Sequence, residues 1–393
     1  MIVNLESKKL KKDLSKLCKI ASLVSTDSYT SYLKLTAKGK FLYIEAINDI
    51  RTQILTIKFD ETVCSVQEQG SCCVPAKALQ QTIDLIGGDT IELYGDDNSI
   101  SIKNLPVEKQ DEIQTIECIH PDQWIGGSKP NNNNVIEIYR DFFLDIGRFT
   151  ANSCSNDKSK APLTAIHVHM NQNGNIQCTA TDYIKISLYD YKNGTKDNIP
   201  EDISFMLPVD AAKKIPQIFE KDIDIMQANI DKQKVTLQGG NIRFSFSTEA
   251  GLDRYPPLRS YLLDDMNVSS EVNLNELHRI VGLLAAVTPK SSCNITFDKN
   301  KISFESEEKR NKSKQFIYVL QNSNIELPKN IKIAIYDLIS SLSIPDGEKI
   351  TIGLTSITNN AFGSLFELRQ TSNNITWRQI ILKARDVRLE DDE

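Results

Sequence analysis

His167 and His169 stand two apart in the stretch "HVH", a spacing that puts both imidazoles on one face of a strand, where they could share a metal ion. Two histidines on a solvent face are the commoner meaning of that pattern. Asp96-Asp97 and Asp264-Asp265 could supply paired carboxylates for acid–base work, yet both pairs sit among turn-forming residues. The chain carries no Gly-rich dinucleotide fingerprint, no P-loop, no H-E-x-x-H and no nucleophile elbow, so no enzyme class and no cofactor is indicated. The basic residues say more. Lys8, Lys12, Lys16 and Lys19 share one face of a predicted helix, opposite its leucines. Lys213, Lys214 and Lys221 fall on a second helix, Arg140 and Arg148 on a third, and Lys158 and Lys160 in the loop "SNDKSKAP". Any one of these could be an ordinary solvated helix face. Together they describe a helix layer able to track phosphates without reading bases.

The elements that must position these groups are set by a chain of 393 residues, 40% apolar and 25% charged, which predicts a soluble globular protein of two or three domains. No apolar run approaches the roughly 18 residues of a membrane span, and "MIVNLESKKLKKDLSK" has no signal-peptide core, so a cytoplasmic protein without a membrane partner is expected. The eight cysteines include no C-x-x-C pair and read as small core residues, which leaves structural zinc without a motif. A net charge of −6 argues against a protein that simply coats nucleic acid, though not against one with a local basic surface.

One pattern recurs with a period near one third of the chain. Each copy opens on an amphipathic helix: "LESKKLKKDLSKLCKIASLV", "IYRDFFLDIGRFTANS" and "NLNELHRIVGLLAAVT". In the third, Asn273 or Asn275 is the expected N-cap. Two strands joined by a tight turn follow, with Lys38-Gly39, Asn173-Gly174 and Lys299-Asn300 as the turn residues. A second helix comes next, opened by Pro75 in the first copy and Pro208 in the second, and further strands close each copy. The reading is an α+β fold of three repeated domains, 1–130, 131–264 and 265–393, the last ending in an acidic tail. "KPNNNN" and "DDMNVSS" serve as linkers, and sheets are expected to continue from one copy to the next so that strand edges are paired.

Within this frame, "ATDYIKIS" (Ala180 to Ser187) resembles the A-T-D-G-[HY]-R-L-[AS] stretch of the bacterial sliding clamps, the β subunits of DNA polymerase III. "DRYPPLRSYL" is similar to that family's G-R-F-P-D-Y stretch, and "CVPAKALQQTIDLI" and "SFMLPVDAAKKI" to its helix-opening V-P-A-[KR] stretches. The order and spacing of these stretches on a threefold repeat, covering essentially the whole chain, carry the resemblance.

The resemblance implies a head-to-tail homodimer closed into a ring, with helices inside and antiparallel sheets outside. Double-stranded DNA threads the hole, an ATP-dependent clamp loader places the ring, and the ring tethers a DNA polymerase without catalysing anything itself. Tethering raises the polymerase's effective concentration at the primer end. The DNA-facing residues would be Lys8, Lys12, Lys16, Lys19, Arg148, Lys158, Lys160, Lys213 and Lys214. A cleft for partner peptides would be walled by Leu163, Thr181, Tyr183, Ile184, Lys185, Ile186, Pro256, Tyr261 and Leu382. This chain departs from the family there. Tyr183 replaces a glycine, Ile184 an aromatic or histidine, Lys185 an arginine, and Pro257-Leu258 an Asp-Tyr pair, while the C-terminal M-P-M-R-L and the P-[TV]-L-P-I-L run of domain one are missing. The departures point to a different partner motif. They also leave open a clamp-like regulatory protein that binds replication partners without encircling DNA.

Overall fold

The structure, a computed structural model, describes residues 1–21, 29–50, 52–105, 113–124, 135–248, 251–287, 292–299, 301–306, 314–319, 329–356 and 364–382. The "KPNNNN" linker and the acidic tail lie outside them.

One unit recurs six times: a lead strand, a helix, then three antiparallel strands. The first copy holds β1 (Ile2–Glu6), α1 (Ser7–Leu17), β2 (Tyr32–Lys38), β3 (Phe41–Ile47) and β4 (Gln53–Phe59). After the short β5 (Cys64–Glu68) come β6 (Gly70–Pro75), α2 (Ala76–Leu85), β7 (Thr90–Gly95), β8 (Ser99–Leu105) and β9 (Gln114–Glu117). The second copy holds β10 (Val135–Tyr139), α3 (Arg140–Thr150), β11 (Ala165–Met170), β12 (Ile176–Thr181) and β13 (Lys185–Tyr191). It continues with β14 (Ile203–Pro208), α4 (Val209–Ile218), β15 (Ile225–Ile230), β16 (Lys234–Gly239) and β17 (Ile242–Ser247). A short helix, α5 (Leu258–Tyr261), precedes the third copy, which holds β18 (Val268–Asn273), α6 (Leu274–Val287), β19 (Ser292–Asp298), β20 (Lys301–Ser306) and β21 (Lys314–Val319). It ends with β22 (Lys329–Ala334), α7 (Ile335–Leu342), β23 (Lys349–Ser356), β24 (Ser364–Thr371) and β25 (Ile375–Ile381).

Each copy thus opens on a strand where the sequence reading opens on a helix. Leu5 and Ile138, read as helical, belong to β1 and β10, and Asn273 ends β18. The Asn273 side chain still caps α6, accepting from Glu276 N at 3.0 Å. The helices bury the expected stripes: Leu10, Leu14 and Leu17 on α1, Phe142, Phe143, Ile146 and Phe149 on α3, Leu277, Ile280, Val281 and Leu284 on α6. Of the predicted hairpin turns, Gly39 and Gly174 adopt φ of +61° and +76°, the left-handed region that favours glycine.

The described residues form two compact units, one of 1–141 with 213–248 and the other of 142–212 with 249–393. In the first unit, β4-β3-β2-β6 of the first copy continue through β17 into β16-β15-β10 of the second, making one eight-stranded sheet beside the five-stranded β5-β1-β7-β8-β9. In the second unit, β14-β11-β12-β13 continue through β25 into β24-β23-β18, beside the four-stranded β21-β20-β19-β22. The expected continuation of sheets from copy to copy is therefore observed. Its register sets Phe244 opposite Leu55 at one join and Tyr189 opposite Trp377 at the other, all four side chains fully buried. The cysteines are free, and all but Cys118 are buried. Among the described residues no helix is long and apolar enough to cross a membrane.

Candidate functional site

The basic helix residues divide by what they touch. Lys8, Lys12 and Lys19 are exposed on α1 and just beyond it, as are Lys158, Lys160 and Lys213 on their own segments. Lys16 departs from the expected solvent-facing stripe. It is only 6% exposed, and its ammonium sits 2.9 Å from Asp13 Oδ1 and 2.7 Å from Glu220 Oε1. Glu220 lies two residues past the end of α4, and its other oxygen takes Lys12 Nζ at 2.9 Å, with Lys9 Nζ 3.7 Å from the first. Lys214 donates to Gln53 Oε1 at 2.9 Å. Arg148 donates twice to Ile344 O, at 3.0 and 2.8 Å, and pairs with Asp346 at 2.9 Å. Apart from Asp13, one turn from Lys16 on the same helix, these partners are distant in sequence, which is why the helical spacing alone left the side chains free.

Hydrogen bonds from Lys16 and Lys12 hold the Glu220 carboxyl down at about 2, and the same contact raises the Lys12 ammonium. A carboxylate depressed in the folded state stabilises it above the unfolded value near 4.5, and loses that contribution as pH falls towards 2. Glu220→Gln is expected to cost about 2 kcal/mol at neutral pH after allowance for screening at the exposed Lys12. Urea unfolding at pH 7 and pH 3 checks this: the difference between wild type and variant should shrink at the lower pH.

The second cluster lies around the "ATDYIKIS" stretch. Thr181 ends β12, and its buried hydroxyl donates to Lys185 O at 2.8 Å. Asp182 Oδ1 accepts from Ile184 N at 2.9 Å and Lys185 N at 2.7 Å, closing the turn into β13. Tyr183, between them, has φ +74° and is 63% exposed, and Ile184 is 52% exposed. Leu382 N donates to Ile184 O at 2.9 Å, so the strand end after β25 adjoins the turn. Beneath lies a core of Ile186, Leu188, Leu262, Leu365 and Ile380, with Leu258 and Leu382 half-buried on top. Pro256 is half-buried and Tyr261 49% exposed. Leu163 falls in a separate buried group with Ala165, Met206 and Tyr255.

Lys185, expected as a cleft wall, is instead buried between two carboxylates, Asp337 of α7 at 3.7 Å and Asp182 at 3.8 Å. Burial pushes the Asp337 carboxyl up, against the pull of Lys185. The sequence reading names Leu258 only as a departure from the family and misses Leu262 and Asp337. Leu258 and Leu262 stand four apart in "PLRSYL", a visible one-turn signal, whereas nothing local marks Asp337.

The remaining candidates serve the fold. His169 Nδ1 lies 2.9 Å from Ser204 Oγ, and the His167 ring stands 5.3 Å from Tyr255, where burial lowers its pKa to about 4. Among the described residues no group of three metal-ligating side chains converges. Asp96 accepts from Asn98 N and Ser99 N in its own turn. The Asp264 carboxylate is fully exposed, 3.5 Å from Arg378.

A repeated strand–helix–three-strand unit whose sheets run from copy to copy is the fold of the sliding clamps of bacterial DNA polymerases. Among solved structures, the DNA polymerase III β chain of Streptococcus pneumoniae superposes with a TM-score of 0.86 at 15% identity, over 98% of this chain and 99% of that one. The DNA polymerase sliding clamp of Bacillus subtilis gives 0.84 at 17% identity, over 98% and 99%. The Helicobacter pylori β clamp bound to a DNA ligase peptide gives 0.81 at 17% identity, over 98% and 100%. No protein-family model matches the chain, and no curated protein sequence does.

Proposed function

We propose that the protein is a DNA sliding clamp, built of three domains with boundaries near residues 130 and 264, and that it assembles as a head-to-tail homodimer. One observation carries the reading. At both joins, the last strand of a copy's first unit pairs with the last strand of the next copy's second unit: β4 with β17, then β13 with β25. By the same rule the third copy offers β21 and the first copy offers β9, and among the described residues both stand at sheet edges. A second chain, turned head to tail, satisfies both edges at once, and two such joins close a ring. Side chains agree. Leu85 is ten residues past Pro75 and 86% exposed, while Ile218, ten past Pro208 in the copy whose β17 is paired, is fully buried.

In this reading the exposed Lys8, Lys12, Lys19, Lys158, Lys160 and Lys213 face double-stranded DNA, a clamp loader opens the ring, and the apolar surface around Ile186 and Leu382 takes peptides from a polymerase and other partners. A peptide of DNA ligase occupies the Helicobacter pylori clamp named above. The chain performs no catalysis; its effect is tethering. Nicked circular and linear duplexes, loaded and then washed at high salt, test the reading, because phosphate contacts alone weaken steeply with salt. Retention on circles with loss from linear ends is expected. Equal loss from both, with a monomer in solution, would refute the ring and favour a clamp-like regulator that no longer encircles DNA.

A further inference from the structure

The two joins between copies share a register and differ in charge. Thr56 and Leu188, each the fourth residue of its strand, stand opposite Arg243 and Arg378. On their other side those arginines face Gln238 and Arg369. At the β13–β25 join the charges are matched. Glu367, two residues before Arg369, binds Arg378 at 2.8 Å, and Asp190, the sixth residue of β13, pairs with Arg259 at 2.7 Å. At the β4–β17 join the corresponding residues are Thr236 and Lys58. Thr236 is buried and its hydroxyl lies 2.9 Å from Ser245 Oγ. One carboxylate position is therefore neutral and the other holds a cation. Among the described residues neither Arg243 nor Lys58 has a carboxylate within ion-pair distance.

These two cations line a cleft of about 70 Å³, together with Tyr43, Thr56, Gln238 and Asn241, on the sheet face opposite Leu55 and Phe244. One water needs roughly 10–15 Å³ of such space, so the cleft has room for a small ion. The fold positions both cations without using their charge. Lys58 N donates to Asn241 O at 2.9 Å and Asn241 Nδ2 to Lys58 O at 3.0 Å, which ties β4 to the turn before β17. The Lys58 ammonium lies 3.6 Å from the centre of the Phe41 ring, which orients it and leaves its charge in place. Arg243 donates to Gln238 Oε1 at 3.3 Å, which leaves the rest of its fork open. The carboxylates on neighbouring positions are engaged elsewhere. Glu45 accepts from Thr56 Oγ1 at 3.2 Å, and Asp60 Oδ1 accepts from Thr62 N and Oγ1 in its own turn. Burial, and after it repulsion from Arg243, lowers the Lys234 ammonium, as an uncompensated Arg243 charge would.

We propose that the β4–β17 join carries a phosphate-binding site, in which Arg243 and Lys58 hold the phosphate group, inorganic or borne by a mononucleotide, and Tyr43 and Thr56 wall it. A guanidinium fork and a point-charge ammonium are the pair that suits a compact oxyanion. The site lies inside the first unit, so it depends neither on ring closure nor on the peptide surface.

Isothermal titration calorimetry of the full-length protein at low ionic strength, with inorganic phosphate, AMP and adenosine in turn, provides the test. Phosphate should saturate a single site per chain. Arg243→Gln and Lys58→Met should each weaken it about tenfold or more, as expected when one charge-assisted hydrogen bond is lost. Gln238→Glu keeps the side-chain shape and gives Arg243 the carboxylate that Arg378 already has. It should weaken phosphate by a similar factor while the melting temperature stays level or rises, which separates lost binding from lost structure. Lys301→Gln, on the exposed face of β20, should bind as wild type does. Tighter binding of AMP than of phosphate, with none of adenosine, would support the site and identify a nucleotide as its source. Equal binding of phosphate and AMP would support it as a site for the phosphate group alone. Absence of saturable phosphate and AMP binding to wild type would overturn the proposal, as would affinities that are the same in Arg243→Gln, Lys58→Met and Lys301→Gln.

Discussion

Glu367→Ala will destabilise the second unit by about 3–5 kcal/mol, because it strands a buried guanidinium. Glu367 on β24 is fully buried. Its Oε1 accepts from Arg378 Nε and Arg369 Nε, both at 2.8 Å, and its Oε2 from Arg378 NH2 at 3.1 Å. Arg378 is itself buried, and its remaining donors reach Leu263 O and Asp264. Removing the carboxylate leaves the buried Arg378 charge with only the exposed Asp264 carboxylate, 3.5 Å away, to offset it. The double variant Glu367→Leu with Arg378→Met removes both charges and should recover most of the loss, since apolar replacement of a buried pair is often neutral. Guanidinium unfolding of the three proteins decides it. A single variant within about 1 kcal/mol of wild type, the range of exposed ion pairs, would show that the pair is hydrated and not buried.

The second large effect belongs to Trp377. The side chain is fully buried, opposite Tyr189 in the register that joins β13 to β25. Its Nε1 donates to Phe149 O at 3.1 Å and Ser187 Oγ at 3.2 Å, and its ring lies 5.9 Å from Phe149, which stacks on Tyr189 at 5.0 Å. Trp377→Ala should cost about 3–5 kcal/mol, the usual range for a buried Trp or Phe cut back to alanine. Trp377→Phe keeps most of the volume and loses the donor, so about 1–2 kcal/mol is expected, close to one buried hydrogen bond. Equal losses in the two variants would mean that the hydrogen bonds and not the packing hold this join. Because the join links strands of two successive copies, hydrogen exchange in β13 and β25 should rise together in Trp377→Ala, while β19 and β20 of the neighbouring sheet stay protected.

Much of this protein was legible in the chain. The apolar stripes of α1, α3 and α6, the prolines before α2 and α4 and the glycine hairpins are local signals, since a helix or a turn is chosen by residues within a few positions of one another. The threefold repeat made those signals mutually supporting, and the ATDYIKIS stretch forms a turn next to the buried cluster of Ile186, Leu188 and Ile380. The lead strands β1, β10 and β18 were lost into the helices that follow them. Each is only five or six residues long, and its alternation runs straight into the helical pattern.

Only the tertiary structure decided which edges pair and which charges meet. β4 meets β17, Lys16 meets Glu220 and Arg148 meets Asp346 across separations of about two hundred residues or nearly so. A partner at that distance leaves no periodic trace, because it is selected by the burial and ladder geometry of the whole sheet and not by neighbouring residues. The same holds for Lys185. Its sequence neighbourhood resembles a cleft wall of the sliding clamps, and only the packing of α7, which brings Asp337 alongside, turns its ammonium inward.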